Sequence, residues 1–284
     1  MEYLRRARQD KFLPKPPAIR ELIGAGGVPV SPMPLAERLK RNIVPRSGFC
    51  STEPGHTVSE GLTSGNGAMN IEATCDPYSE QILFHHESLT LPYKRPYEAP
   101  RVADIFPEVR KMVLDGKYRE AVEFAFQKME EGPIKRNTYP HPTIPAFLMH
   151  LDSPKTASVR NYLRTVDFES SEVKVHWSDE RGDWVRQTFT SRPDNVVVQL
   201  LTAPEGQVVN IRIALERSTA RRRATEGGAA AGIGPSEVQQ DFNEQRLIYK
   251  CRLDPSVDNS GYAGVVRVVR SGGSARMDNG TLVI

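Results

Sequence analysis

Four runs between residues 161 and 215 are built from apolar residues that recur at short intervals. In residues 172–178, Val173, Val175 and Trp177 fall on one face. A charged turn at 179–183 leads to a second run at 184–190. Residues 196–201 (Val-Val-Val-Gln-Leu-Leu) are apolar on both faces, and Val209, Ile211, Ile213 and Leu215 again share one. Successive side chains of an extended strand point to opposite faces, so period two specifies strands. The Gly, Pro and Asp turns between them predict an antiparallel meander across all four.

The same reading extends in both directions. Gly65-Asn66-Gly67 separates residues 60–62 from 68–73. Glycine and asparagine tolerate positive φ, so this is a tight turn between strands. Residues 80–84 form the next run and end in His85-His86-Glu87. Further on, Leu247, Tyr249, Cys251 and Leu253 lie on one face, and residues 265–269 are apolar. Turns at 271–273 and 278–280 then lead into 275–277 and 281–284. The chain therefore stops inside a strand pattern. An apolar strand needs a pairing partner, so the expectation is a domain lacking its last strand or more.

The period changes between residues 104 and 131. Val109, Met112 and Val113 share a helical face, Pro107 suits a first turn, and Asp115-Gly116 ends the helix. A second helix carries Tyr118, Ala121, Val122, Ala125 and Met129 at helical spacing and stops at Gly132-Pro133. This apolar stripe is expected to pack on the sheet. Residues 1–47 are broken by Pro14, Pro16, Pro17, Pro29, Pro32, Pro34 and Pro45, and read as an extended arm or strap with room for a short helix at 35–43. Residues 138–154 read as a long loop or edge segment. Residues 217–245 lose the pattern around Arg221-Arg222-Arg223 and a Gly/Ala run, and read as a flexible insertion. The two-part organisation is thus an arm at 1–47 and a mainly β domain with a helical-pair insertion at 48–284.

Charge narrows the function classes. The 38 basic and 35 acidic residues leave a net charge of +3, too mild for a nucleic-acid partner. No apolar run is long enough to span a bilayer, and no apolar segment follows the N-terminal arginines as in a signal peptide, which leaves the compartment open. Cys50, Cys75 and Cys251 are widely spaced and read as free thiols. No Gly-rich phosphate loop, Gly-x-Ser-x-Gly elbow, Cys-x-x-Cys or His-Glu-x-x-His occurs. His85 and His86, adjacent in a strand, point to opposite faces and do not share a metal. Asp179, Glu180 and Asp183 on a turn, and Glu130 and Glu131 at a helix end, read as solvated. The residues therefore indicate no catalytic group, no metal and no cofactor.

Four stretches together resemble one family. Glu60-Gly-Leu-Thr-Ser-Gly-Asn-Gly67 is similar to the Glu-Gly-Leu-Pro-x-Gly-Asn-Gly opening of the N-terminal domain of glycoside hydrolase family 95, the α-L-fucosidases. Ile-Leu-Phe-His-His-Glu-Ser-Leu at 82–89 sits where that family has a strand ending in Asn-Glu-Asp-Thr-Leu-Trp, with His85 in place of asparagine and Thr90 in place of tryptophan. Residues 106–121 resemble its helix pair with a Gly-x-Tyr-x-Glu-Ala link. Residues 162–168 and 188–198 resemble its Tyr-x-Arg-x-Leu-Asp and Phe-x-Ser-x-Pro-Asp-x-Val strands.

The resemblance implies a large antiparallel β-sandwich, followed in the family by an α/α barrel that carries the catalytic carboxylate. Those positions would lie beyond Ile284, so no catalytic residue is carried over. The implied partners are α-L-fucosyl or α-L-galactosyl glycans, reached through the downstream barrel. Asn66, His85, His86 and Glu87 are candidates for the rim of that barrel's site, because loops on rigid scaffolds carry function. The rival reading is a stand-alone carbohydrate-binding or interaction module, with Trp177 and Trp184 as its sugar platform.

Overall fold

The computed structural model describes residues 27–89, 102–132, 144–217, 246–253, 255, 259–278 and 280–284, together with the backbone of 235–243. The N-terminal segment contributes β1 (Val30–Pro32), α1 (Leu35–Lys40) and β2 (Gly48–Ser51). A first set of strands follows: β3 (Leu62–Gly65), β4 (Met69–Ala73) and β5 (Ser79–His86). The helix pair is α2 (Phe106–Leu114) and α3 (Tyr118–Glu131). Then come β6 (Phe147–Asp152), β7 (Val159–Asp167), β8 (Glu172–Asp179), β9 (Gly182–Ser191), β10 (Val196–Thr202) and β11 (Arg212–Glu216). The C-terminal strands are β12 (Pro235–Asn243), β13 (Arg246–Leu253), β14 (Gly261–Arg267), β15 (Arg276–Asp278) and β16 (Thr281–Val283).

The domain is mainly β, as the alternation predicts. One sheet runs β1-β7-β8-β9-β10, with β2 also pairing β7. A second runs β15-β16-β11-β6-β5-β4-β3, and a small third sheet is β12-β13-β14. Their inner faces share one core. Ile71, Ile82, Met149, Ile213 and Leu282 of the second sheet meet Tyr162, Val173, Val175 and Trp177 of the first and Leu247, Tyr249, Cys251 and Leu253 of the third. Each such buried side chain contributes about 1.5–3 kcal/mol relative to exposure. None of the three cysteines is in a disulfide.

The meander holds for β7 to β10, but β11 does not continue it. It crosses to the second sheet, where Ile213 pairs Leu151 of β6 and Leu282 of β16. Period two tells which residues share a face, not which sheet receives them. β10 is an edge strand rather than one buried on both faces: Val196, Val198 and Leu200 point outward, and Leu200 is 56% exposed. Residues 147–152, read as loop or edge, form the central strand β6 between β5 and β11. β12 lies inside the stretch read as a flexible insertion; residues 218–234, with the three arginines, lie outside the described residues. The final strand β16 finds neighbours on both sides, β11 and β15, and Leu282 is fully buried.

Two polar features of the interior escaped the sequence reading. Trp177 and Trp184 face each other across β8 and β9, stacked at 5.9 Å, and are only 4% and 5% exposed. They are core residues, so neither offers a sugar platform. Asp179 is buried rather than solvated. It accepts hydrogen bonds from Arg181 Nη2 (2.5 Å), Trp184 Nε1 (3.1 Å) and Tyr78 Oη (3.1 Å). Burial pulls its pKa upward, but the bonds from Arg181 and Trp184 outweigh burial and hold it below the usual carboxylate value.

The deepest polar contact joins the sheets at the β4–β5 turn, where Cys75 adopts φ 65°. Three successive carbonyls of that turn each accept from a side chain of the opposite sheet. Arg164 Nη1 donates to Thr74 O (3.2 Å), Tyr162 Oη to Cys75 O (2.7 Å) and Arg186 Nη2 to Asp76 O (2.5 Å). Arg186 also pairs with the Glu80 carboxylate, and both residues are almost completely buried.

The helix pair departs most from expectation. No residue of α2 is buried, and in α3 only Ala121 is. Phe106, Val113, Leu114, Tyr118, Val122 and Phe126 are all more than 40% exposed. Of the predicted stripe, Ala121 is buried, Val109, Met112, Ala125 and Met129 are half-buried, and Val113, Tyr118 and Val122 are exposed. No described helix is long and apolar enough to cross a membrane.

Candidate functional site

The candidate rim lies at one end of the sandwich, where β3, β4, β5 and β9 finish. Residues 66–68 form the expected turn between β3 and β4. Asn66 organises it. Its Oδ1 accepts from the amides of Ala68 (3.0 Å) and Met69 (2.8 Å), and its Nδ2 donates to Ser191 O and to Asn195 Oδ1, both at 2.9 Å. All the hydrogen-bonding capacity of that amide is thereby engaged. Asn66 ties its own turn to the β9–β10 turn of the opposite sheet.

A second tie uses serines. Ser64 Oγ donates to Ser171 O (2.6 Å) and accepts from Thr190 N (2.9 Å). Ser171 and Asn195 sit at φ 59° and 52°, a left-handed conformation that costs a non-glycine residue energy unless its surroundings hold it. Ser64, Ser171 and Asn195 were not singled out in the sequence. Their partners are more than a hundred residues apart, and no local pattern signals such a bond.

The other three candidates sit beside this turn. Asn70 pairs with His85 and Met69 with His86, and Glu87 N donates to Ala68 O at 2.8 Å. His85 lies diagonally from Glu72 on the outward face, its Nε2 3.7 Å from Glu72 Oε1. His86 Nδ1 accepts from Ser88 N at 3.1 Å, and Glu87 is exposed. The structure thus gathers Asn66, His85, His86 and Glu87 at one end, but gives Asn66 a holding role and leaves His86 and Glu87 at the surface. Among the described residues, no three His, Cys, Asp or Glu side chains come together as a metal site. Glu80 is raised to about 7 by burial against the pull of Arg186, but it is sealed between the sheets, out of reach of any substrate. Tyr78 is pushed up to about 12, mainly by burial, and does not exchange protons near neutrality.

Asn66→Ala removes a donor and an acceptor that join two turns. We expect a loss of about 1–3 kcal/mol in urea unfolding, with faster amide exchange at Ala68 and Met69. Unchanged stability and exchange would show that the turns hold without it.

The glycosyl hydrolase family 65 N-terminal domain model matches residues 49–284. Comparison with curated proteins gives no match. With this sheet arrangement and that extent of match, the chain belongs to the family of glycosyl hydrolase family 65 N-terminal domains. The matched residues make up most of the 284-residue chain.

Proposed function

We propose that this domain braces the catalytic barrel of an α-L-fucosidase-type glycosidase and does no hydrolysis itself. The observation that carries the reading is the apolar face of α2 and α3. Among the described residues, Phe106, Leu114, Tyr118 and Val122 of this helix pair stand exposed. An exposed apolar patch of this kind marks a docking surface, and the occupant in this reading is the catalytic domain that an N-terminal glycosidase domain serves. The sugar class rests on the motif resemblance at residues 60–67, 106–121, 162–168 and 188–198. His85 and Thr90, which replace the asparagine and tryptophan of that pattern, favour a divergent branch within α-L-fucosidase and α-L-galactosidase chemistry. His86 and Glu87, at the surface of the sandwich end, are its rim residues.

The test is direct. The purified chain should release no aryl alcohol from aryl α-L-fucosides or aryl α-L-galactosides above the buffer rate. Turnover that survives repurification would place a catalytic site within these residues and end the bracing account.

A further inference from the structure

The third sheet carries an arrangement of cations that the core does not explain. β13 and β14 pair with Arg246 opposite Arg267, and the next pair is Leu247 with Val266. Leu247 is fully buried, so Arg246 and Arg267 share the outward face, where both are exposed. Side chains opposite one another in an antiparallel pair stand about 5 Å apart at Cβ, and like charges there repel. Among the described residues, neither arginine makes a hydrogen bond or ion pair. The register of β12 places Asn243 beside Arg246, whereas Glu237 falls beside Arg252 and Asp241 beside Ile248. No acidic residue of β12 or β14 is paired directly with Arg246 or Arg267.

The chain then turns through a glycine loop next to Arg267. Arg267, Val268, Val269, Arg270, Gly272 and Gly273 line an open groove of about 300 Å3. Arg270 is half-buried and its guanidinium is steered by one bond, Nη1 to Gly273 O at 2.9 Å. Gly272 and Gly273 take φ 118° and 69°, and nothing lies within 4 Å of where a Cβ would stand on either. The backbone of the loop is thus open to the groove. Backbone amides of a turn that are left open in this way can face an anion.

The geometry points to an oxyanion site, for a sulfate or carboxylate group, formed by Arg246, Arg267 and Arg270 at the mouth of this groove. A planar guanidinium presents paired donors that match such oxygens, and an anion between Arg246 and Arg267 relieves their mutual repulsion. The oxyanion is either a free ion or a group carried on a sugar. The site stands apart from the bracing role and from the sandwich end that holds Asn66.

Titration calorimetry at low salt separates these sources. The probes are sodium sulfate, a sulfated disaccharide and its unsulfated parent. The wild-type chain should bind at least one sulfated probe saturably and ignore the parent, and added salt should weaken binding because exposed charges are screened over about 10 Å. Arg267→Glu should weaken it at least about tenfold, and Arg246→Gln by a smaller factor of about threefold. Arg46→Glu makes the same charge change on a distant exposed loop and should leave it unaltered, with circular dichroism verifying the fold of each variant. Tighter binding of the disaccharide than of sulfate identifies a charged sugar as the source; equal binding identifies a free anion. Absence of saturable binding, equal affinity in Arg267→Glu, or an equal loss in Arg46→Glu would overturn the site.

Discussion

Arg186→Met should cost the domain about 3–5 kcal/mol of unfolding free energy, the largest loss we expect from any single polar substitution. Arg186 is 2% exposed and faces a Glu80 that is 1% exposed. Removing the cation leaves the buried Glu80 carboxyl without its partner and also takes the donor from Asp76 O. A buried acid without its partner, ionised or forced to take up a proton, is costlier than an apolar pair of the same volume. The double variant Glu80→Leu/Arg186→Met should therefore recover most of the loss. Urea unfolding of both variants decides the point. A single variant within about 1 kcal/mol of wild type would mean that the pair contributes little.

The same pair gives the domain a signed pH dependence. Burial raises Glu80 from 4.5 to about 7, so the folded chain holds this proton more tightly than the unfolded one. The resulting stabilisation is complete below about 4.5 and is lost as pH rises through about 7. His176 runs the other way. Burial, with Lys174 beside it, lowers its pKa from 6.5 to about 4, so its share grows as pH climbs between those values. Subtracting the profile of Glu80→Gln from that of wild type cancels His176. The difference should move against wild type between about pH 5 and pH 8. A flat difference would place the proton elsewhere.

The second large effect is steric. A Cβ on Gly264 would stand 2.1 Å from Cε1 of Phe147. That ring has nowhere to go: it stacks on Phe84 at 4.5 Å and lies 5.5 Å from Tyr249. β14 approaches β6 this closely because Tyr262 Oη donates to Ala146 O at 2.6 Å. Gly264→Ala should cost about 3 kcal/mol, the upper end of ordinary overpacking. Gly264→Val should detach the third sheet, which tryptic cleavage within residues 246–267 would report. Phe147→Leu in the Gly264→Ala background should restore part of the stability, because the two sites share one space. Full stability in Gly264→Val would contradict the packing of β14 on β6.

Much of the fold is legible locally. The turn at Gly65-Asn66-Gly67, the strands on either side and the helix pair all follow from period and turn chemistry. Sheet membership does not. Residues 209–215 read like a further meander strand because Ile211, Ile213 and Leu215 would suit either sheet, and only the long-range pairing with β6 chooses. Residues 196–201 are apolar on both faces apart from Gln199, yet as an edge strand β10 turns Val196, Val198 and Leu200 outward. Asp179 reads as a turn residue because its partner Tyr78 lies 101 positions away. The helix stripe is the most telling case. Helical spacing predicts both helices, but a pattern of apolar residues does not name what will cover each of them. Asn66 and His85 to Glu87 do meet at one end of the sandwich, as the pairing of β4 with β5 requires. The holding role of Asn66 depends on Ser191 and Asn195, and no sequence signal links them to it.

The exposed apolar residues of α2 and α3 make the bracing account specific, because it assigns them to a catalytic domain in the same polypeptide. The intact mass of the native gene product, taken from its source cells, tests this most directly. The account predicts a mass well above the 31.7 kDa of this chain, with the barrel encoded downstream. A native product of 31.7 kDa would leave the helix face without its proposed occupant and contradict the account.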